Sequence, residues 1–374
     1  MAHAFTPGLK VSEKAVIYKE RRLPLKGEVV VKIGDKVKAD DIVAKTAIPG
    51  DVETLNIAGR LGVSPEDVKE FLKVKVGQEV NKDDVIAETN GFFGLFKTVI
   101  KSPITGSIEN ISEITGQMIL RHPPKPIEID AYIDGYVTEI IENEGVKVQT
   151  KGTFVQGIFG IGGEARGEIM RIAKSNDSVI TENDITSNCK GKVLIAGAFI
   201  DVKTLRKAVS VGAKGIVVGG IDDRDIKEFL GYDIGVAITG SEKKGITLIV
   251  TEGFGQMSMA KRTFEILSSH EGEVASINGA TQIRAGVLRP EVIIPNFNLK
   301  DEDLSSVDSS SGIKVGHNVR IIRAPYFGLI GKVTKLPPEL EKIETEAKVR
   351  ILEVELNDGR KITLPRANIE LIEE

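Results

Sequence analysis

The sequence predicts a multidomain, β-rich chain with an α/β segment in its middle, and three observations predict it. Glycine is abundant, 39 of 374 residues, and it separates short Val- and Ile-rich runs, the pattern of strands joined by tight turns. Near residue 176 the apolar period changes, and short continuous apolar runs begin to alternate with amphipathic stretches of helical length. From 296 to 312 the chain becomes polar and rich in Ser and Asp before a last set of strands, the composition of a linker. The expected organisation is an N-terminal β domain over 1–175, an α/β domain over 176–295, the linker over 296–312 and a β module over 313–374.

Composition narrows the function. A net charge of −4 argues against a generally basic nucleic-acid surface while leaving room for a local patch. The single cysteine, Cys189, rules out a disulfide framework within the chain and argues against a cysteine zinc site. The first ten residues lack a long apolar core, and no apolar run reaches the roughly 20 residues that span a bilayer. A soluble cytoplasmic protein is expected, with no membrane contact. No cluster has metal-ligand spacing and no His is placed for a triad, so no metal, no cofactor and no catalytic residues are expected.

Residues 1–25, with basic Lys19, Arg21 and Arg22, read as a lead-in strand or arm. An internal repeat follows: GDKVKADDIVAK from Gly34 and GQEVNKDDVIAE from Gly77. Each places a turn at Gly, a bend at an acidic pair, and a short branched strand. A second echo joins GSIENI from Gly106 to GYVTEI from Gly135. Between the repeats, 57–72 is a helical insert, with Ser64 as cap and Pro65 at the first helical position. Its AGRLGVSPEDV stretch has the flavour of a DNA-reading helix-turn-helix, but the acids Glu66, Asp67 and Glu70 oppose phosphate contact, and a helical cap on the β domain is the simpler reading.

With these motifs in view, residues 26–120 resemble the barrel-sandwich hybrid fold of biotinyl- and lipoyl-carrier domains. VKVGQEVNKDDVIAE and IKSPITGSIENI carry the resemblance. In those families a hairpin before the second motif presents a modified lysine. Here that position holds Leu95, with Lys97 two residues on, so a non-acylated version is implied. The apolar tip, Phe92, Phe93, Leu95 and Phe96, is expected to contact a partner or another domain. The resemblance extends to accessory modules of RNA polymerase and of membrane electron-transfer complexes, which carry no prosthetic group.

QGIFGIGGEARGE, from Gln156, has the glycine density of an anion nest but lacks the Lys and Ser/Thr of a phosphate loop, so a structural hairpin is favoured. In the α/β domain, KVLIAG, GIVVGG, VAITG and ITLIVTEGFG read as parallel strands, with helices over Val202–Val211, 221–230 and 257–268. Ligands of such sheets bind beyond the carboxyl ends of the strands. The residues there are Gly197, Asp201, Gly219, Gly220, Asp222, Thr239, Gly240, Thr251 and Glu252, with Gly253 and Gly255 as a possible anion loop before a helix. The alternative is that strand-to-helix turns need glycine. Gln282, Arg284 and Arg289 form a further polar edge.

The C-terminal stretch VGHNVRIIRAPYFGLIGKV, from Val315, resembles the KOW motif of SH3-like barrels in transcription elongation factors and ribosomal proteins. Gly316, Val319, Arg320, Pro325, Tyr326, Phe327, Gly328 and Gly331 fill the pattern. Asn357-Asp358-Gly359 is a hairpin turn, and 336–348 lengthens one loop. The resemblance implies docking on RNA polymerase, a ribosome or RNA through Arg320, Arg323, Tyr326, Phe327 and Lys332. The expected function is therefore a non-catalytic binding or adaptor protein. Two alternatives stand beside it: an anion- or nucleotide-binding sensor or enzyme using the α/β domain, and a self-assembling structural protein, a homo-oligomer formed through the Phe92–Phe93 tip.

Overall fold

Strand-forming runs between glycines become several sheets in the computed structural model, which describes residues 6–89, 97–232, 238–240, 242–282, 288–300, 313–321, 326, 329–338, 340–342, 348–356 and 358–372. The protein is β-rich, as the glycine and Val/Ile pattern predicts.

The two sequence repeats are nested rather than side by side. The turn at Gly34 leads into Lys36–Val37, which pairs with the Gly135 strand, Val37 opposite Gly135. The turn at Gly77 leads into Glu79–Val80, which pairs with the Gly106 strand, Val80 opposite Gly106. The inner pair lies wholly within the interval between the outer pair. Each unit makes its own set of equivalent hydrogen bonds. Gly34 N–H donates to Val137 O and Gly77 N–H to Ile108 O, both at 2.7 Å. Lys38 N–H meets Asp41 Oδ2 and Asn81 N–H meets Asp84 Oδ2, again both at 2.7 Å. Ala39 N–H meets Asp134 Oδ1 at 2.7 Å where Lys82 N–H meets Thr105 Oγ1 at 3.0 Å. Gly34 and Gly77 occupy the left-handed region at φ +90° and +85°, which explains why the repeat conserves glycine there between its two copies.

The outer unit's hairpin strands, Ile42–Ile48 and Lys125–Asp130, pair from Ile42↔Asp130 to Ile48↔Lys125. The whole inner unit is inserted where their connecting turn would be. Its ends lie together, with Val52 opposite Arg121 and His122 N–H on Asp51 O at 2.9 Å. The inner core, from Leu55 to Leu120, is its own cluster. The helical insert forms α1 (Ile57–Leu61) and α2 (Val68–Phe71), and it turns Ile57, Ala58, Leu61 and Val68 into that core. The cap of α1 is Asn56, whose side chain accepts Gly59 N–H at 2.8 Å; Ser64 makes no side-chain cap. The inner unit's own hairpin strands, Val85–Glu88 and Val99–Lys101, are paired. The tip residues Phe92, Phe93, Leu95 and Phe96 lie outside the described residues.

The α/β region has four parallel strands: Glu164–Arg171, Lys192–Ile195, Gly215–Ile221 and Thr247–Phe254. Every residue of Gly215–Ile221 is buried, as a strand covered on both faces must be. Helices α3 (Val202–Val211), α4 (Asp223–Leu230) and α5 (Lys261–Ser269) complete it. VAITG does not supply a parallel strand. Ile238–Thr239 instead pairs with Thr281–Gln282 outside the main sheet, and Glu164–Arg171 takes the fourth parallel place. Helix α5 begins later than its apolar pattern indicates, because Met257 N–H and Met259 N–H bond across to Ala198 O and Asn176 O. The long Gly145–Gln156 strand joins this sheet to the outer unit, pairing with Val11–Arg22 and with Glu291–Pro295.

In the C-terminal module, Asn318–Ile321, Ile330–Lys335, Lys348–Leu356 and Lys361–Pro365 pair in succession, and Ile369–Ile372 returns beside Asn318–Ile321. The arm near the N-terminus contributes Thr6–Leu9, parallel to Ile369–Ile372. None of the described helices is long and apolar enough to cross a membrane.

Candidate interaction surface

The strand ends of the parallel sheet are filled by the chain itself. Helices α3 and α4 are each capped by an acid from that edge. Asp201 accepts Thr204 N–H at 2.8 Å and the Thr204 hydroxyl at 2.6 Å. Although burial opposes it, these bonds hold the Asp201 carboxyl below its ordinary range. Asp222 accepts Arg224 N–H and its Nε, each at 3.0 Å, and the guanidinium keeps that carboxyl lower still. Glu252 accepts Ala260 N–H at 2.9 Å at the start of α5. The positive ends of α3 and α4 that would draw an anion are thus neutralised from within, and Glu252 stands just ahead of α5.

Space is filled as well. A Cβ on Gly219 would stand 2.1 Å from Met257 O, and one on Gly220 would stand 2.0 Å from Gly255 O. Glycine is required there because the 255–259 segment packs directly on the strand ends. At the proposed anion loop, Gly253 lies opposite Gly220 in the sheet and Gly255 N–H donates to Ile221 O at 2.9 Å.

Arg320 completes the closure. It is 4% exposed, far from the open surface that a nucleic-acid contact needs. Its Nη1 donates to Thr251 O at 3.2 Å and Glu252 O at 3.3 Å, and its Nη2 pairs with the Glu252 carboxylate, itself buried. The arginine expected to reach RNA instead joins the C-terminal module to the α/β edge. Tyr326 is half-buried against that module's core, and Lys332 is exposed. Arg323 and Phe327 lie outside the described residues.

The glycine-rich run from Gln156 is also internally satisfied. Gly162 N–H and Gly240 N–H both donate to Glu242 Oε2, at 3.1 and 2.6 Å, so a carboxylate of the chain sits where an external anion would. Glu164 forms a bidentate pair with Arg21, at 2.6 and 2.8 Å, and Arg166 pairs with Asp40. Arg21 also donates to Asp130 and lies over the Tyr132 ring. Burial works against its charge, but the Glu164 and Asp130 carboxylates prevail and raise its pKa. Tyr132 is buried with φ +64°, unusual for a bulky residue, and its hydroxyl meets Glu291, which also binds Lys19. Burial first, then the Glu291 and Glu164 charges, push the Tyr132 phenol well above its ordinary pKa. These groups fasten the outer unit to the α/β sheet.

Sequence reasoning missed two features. Thr153 Oγ1 lies 2.8 Å from His270 Nε2, whose Nδ1 is 3.0 Å from Glu273, a hydroxyl–imidazole–carboxylate chain. Thr153 is 1% exposed and also bonds Glu13 O, so this chain anchors the end of α5 and leaves no room for an acyl group. The second is an aromatic row on the outer unit. Tyr18, Gln149 and Tyr136 stand in register on three neighbouring strands, with Tyr18 and Tyr136 exposed and Phe297 packed at a near-right angle to Tyr136. The only sequence signal for it was the scarcity of aromatics, 5% of residues, which makes each exposed ring notable.

No protein-family model matches the chain, and no match is found among curated proteins.

Proposed function

We propose that the protein is a non-catalytic adaptor that docks on RNA polymerase, a ribosome or RNA in the cytoplasm. The observation that carries this reading is the filling of the α/β strand ends by Glu252 and Arg320, which uses the usual ligand edge to hold the C-terminal module. On this reading the two nested N-terminal units are non-acylated barrel-sandwich hybrids in series. The inner one is inserted in the hairpin of the outer, and the Phe92, Phe93, Leu95 and Phe96 tip is a partner contact. The C-terminal module is a KOW-like SH3 barrel that docks through Lys332, Tyr326, Arg323 and Phe327. Arg320 serves to fix its orientation.

The test is binding of the purified full chain to purified polymerase and to ribosomal subunits by biolayer interferometry. Binding to one of them, weakened several-fold by Lys332→Ala and by Phe92→Ser/Phe93→Ser, is expected. Absence of binding to all of them, or binding that neither variant changes, contradicts the reading.

A further inference from the structure

We propose that the outer face of the sheet formed by Val11–Arg22, Gly145–Gln156, Gly135–Ile141 and Lys36–Val37 binds single-stranded RNA by base stacking. The inference rests on the RNA-linked reading above but places the contact on a different module. Across these strands Tyr18, Gln149, Tyr136 and Lys36 are paired in register, and residues so paired share a face. Tyr18 is 53% and Tyr136 46% exposed. Two of the five tyrosines therefore stand open on one row. The rings are two strand spacings apart, about 10 Å, enough for a base on each with Gln149 between them.

Phe297 adds a third ring, 6.2 Å from Tyr136 and nearly perpendicular to it, and Lys36 Nζ lies 5.0 Å from the Phe297 centroid. Tyr136, Gln149, Thr150, Lys151 and Phe297 line a pocket of about 320 Å³, the small end of the range for ligand sites. The chemistry matches a nucleotide. Exposed rings offer stacking planes for any base, and the Gln149 amide offers both a donor and an acceptor to a base edge. Lys36, Lys147 and Lys151 bring positive side chains to this face, where Glu139 and Glu20 pair with Lys147 and Lys36 lies against the Phe297 ring. Lys36 stands beside Tyr136 in the sheet and Lys151 is two residues along the strand from Gln149, so positive side chains adjoin the stacking row, as a strand of alternating base and phosphate requires.

The experiment is fluorescence anisotropy of a labelled oligouridylate with the full chain at low and moderate salt. Wild type binds, and Tyr18→Ala and Tyr136→Ala each weaken binding on the order of ten-fold. Tyr136→Phe keeps the ring and binds like wild type. The proposal is overturned if wild type does not bind at low salt, if the double alanine variant binds as tightly as wild type, or if Tyr136→Phe is as weak as Tyr136→Ala. Loss of RNA affinity in Lys332→Ala but not in the tyrosine variants also overturns it, while leaving the RNA-linked function standing. Docking on polymerase or ribosome without any RNA affinity does the same. Sedimentation of the same variants closes the remaining route: a dimer dispersed by Tyr136→Ala makes this a self-association face and contradicts RNA as its occupant.

Discussion

Arg320 and Glu252 bury opposite charges between two modules, and their value lies in being paired. Removing one partner of such a pair leaves an uncompensated buried charge and costs about 3–5 kcal/mol, whereas apolar replacement of both is often nearly neutral. Arg320→Met is therefore expected to lower stability by that amount in denaturant unfolding, and Arg320→Met/Glu252→Met to recover most of it. Equal losses in the single and double variants contradict the latch. In sequence, Arg320 lies in the stretch that resembles a KOW motif, where an arginine is expected to face a partner; the acidic strand end that covers it lies 68 residues earlier. Burial by a distant module leaves no local pattern, so the residue was legible and its role was not.

Tyr132 gives a second test at this scale. Its phenol is held above the ordinary value, so the folded state keeps a proton that the unfolded chain releases near pH 10. Stability is then full below about pH 10 and falls as pH rises beyond it. Tyr132→Phe should flatten that alkaline fall in unfolding experiments. An unchanged alkaline slope would show that Tyr132 does not couple to folding.

At the scale of elements, the strand-end caps obey ordinary rules. Asp201→Ala is expected to cost about 1 kcal/mol of stability through loss of the α3 cap. Because the folded Asp201 carboxyl lies below its ordinary range, its stabilisation is present above that range and lost as pH falls through the folded value. Asp201→Asn, which keeps an acceptor, should remove the acid dependence and keep most of the stability at neutral pH. Helix α3 was legible from its amphipathic run, and the structure adds the Asp201 cap that opens it and Gly212 at φ +82° that closes it. VAITG was misplaced because an apolar run announces a strand but not the sheet that receives it. The turn at Gly240 and the Glu242 carboxylate, which takes Gly240 N–H, lie beyond that pattern.

Across the whole molecule, the sequence showed two repeats and two echoes but not which belonged together. Gly34 with Gly135 and Gly77 with Gly106 is a nested arrangement, decided by long-range hydrogen bonds with no local signature. The aromatic row was hidden for the same reason, since Tyr18 and Tyr136 are brought to one face only by the Gly145–Gln156 strand between them. Nesting has a direct consequence. The inner unit has its own core and adjacent ends, so replacing 51–122 with Asn-Gly should leave the rest folded, and residues 50–123 should fold alone. Cooperative unfolding of both pieces is the expected outcome; a molten fragment or an unfolded remainder contradicts two independent units.

The proposed adaptor function is tested most directly by affinity capture of the tagged full chain from a lysate of its native cells, with and without ribonuclease, read by mass spectrometry. Polymerase or ribosomal components are predicted in the untreated sample, with ribonuclease removing those that RNA alone bridges. Recovery of the protein by itself in both samples would contradict the account and move the function to self-assembly or to a small-molecule role.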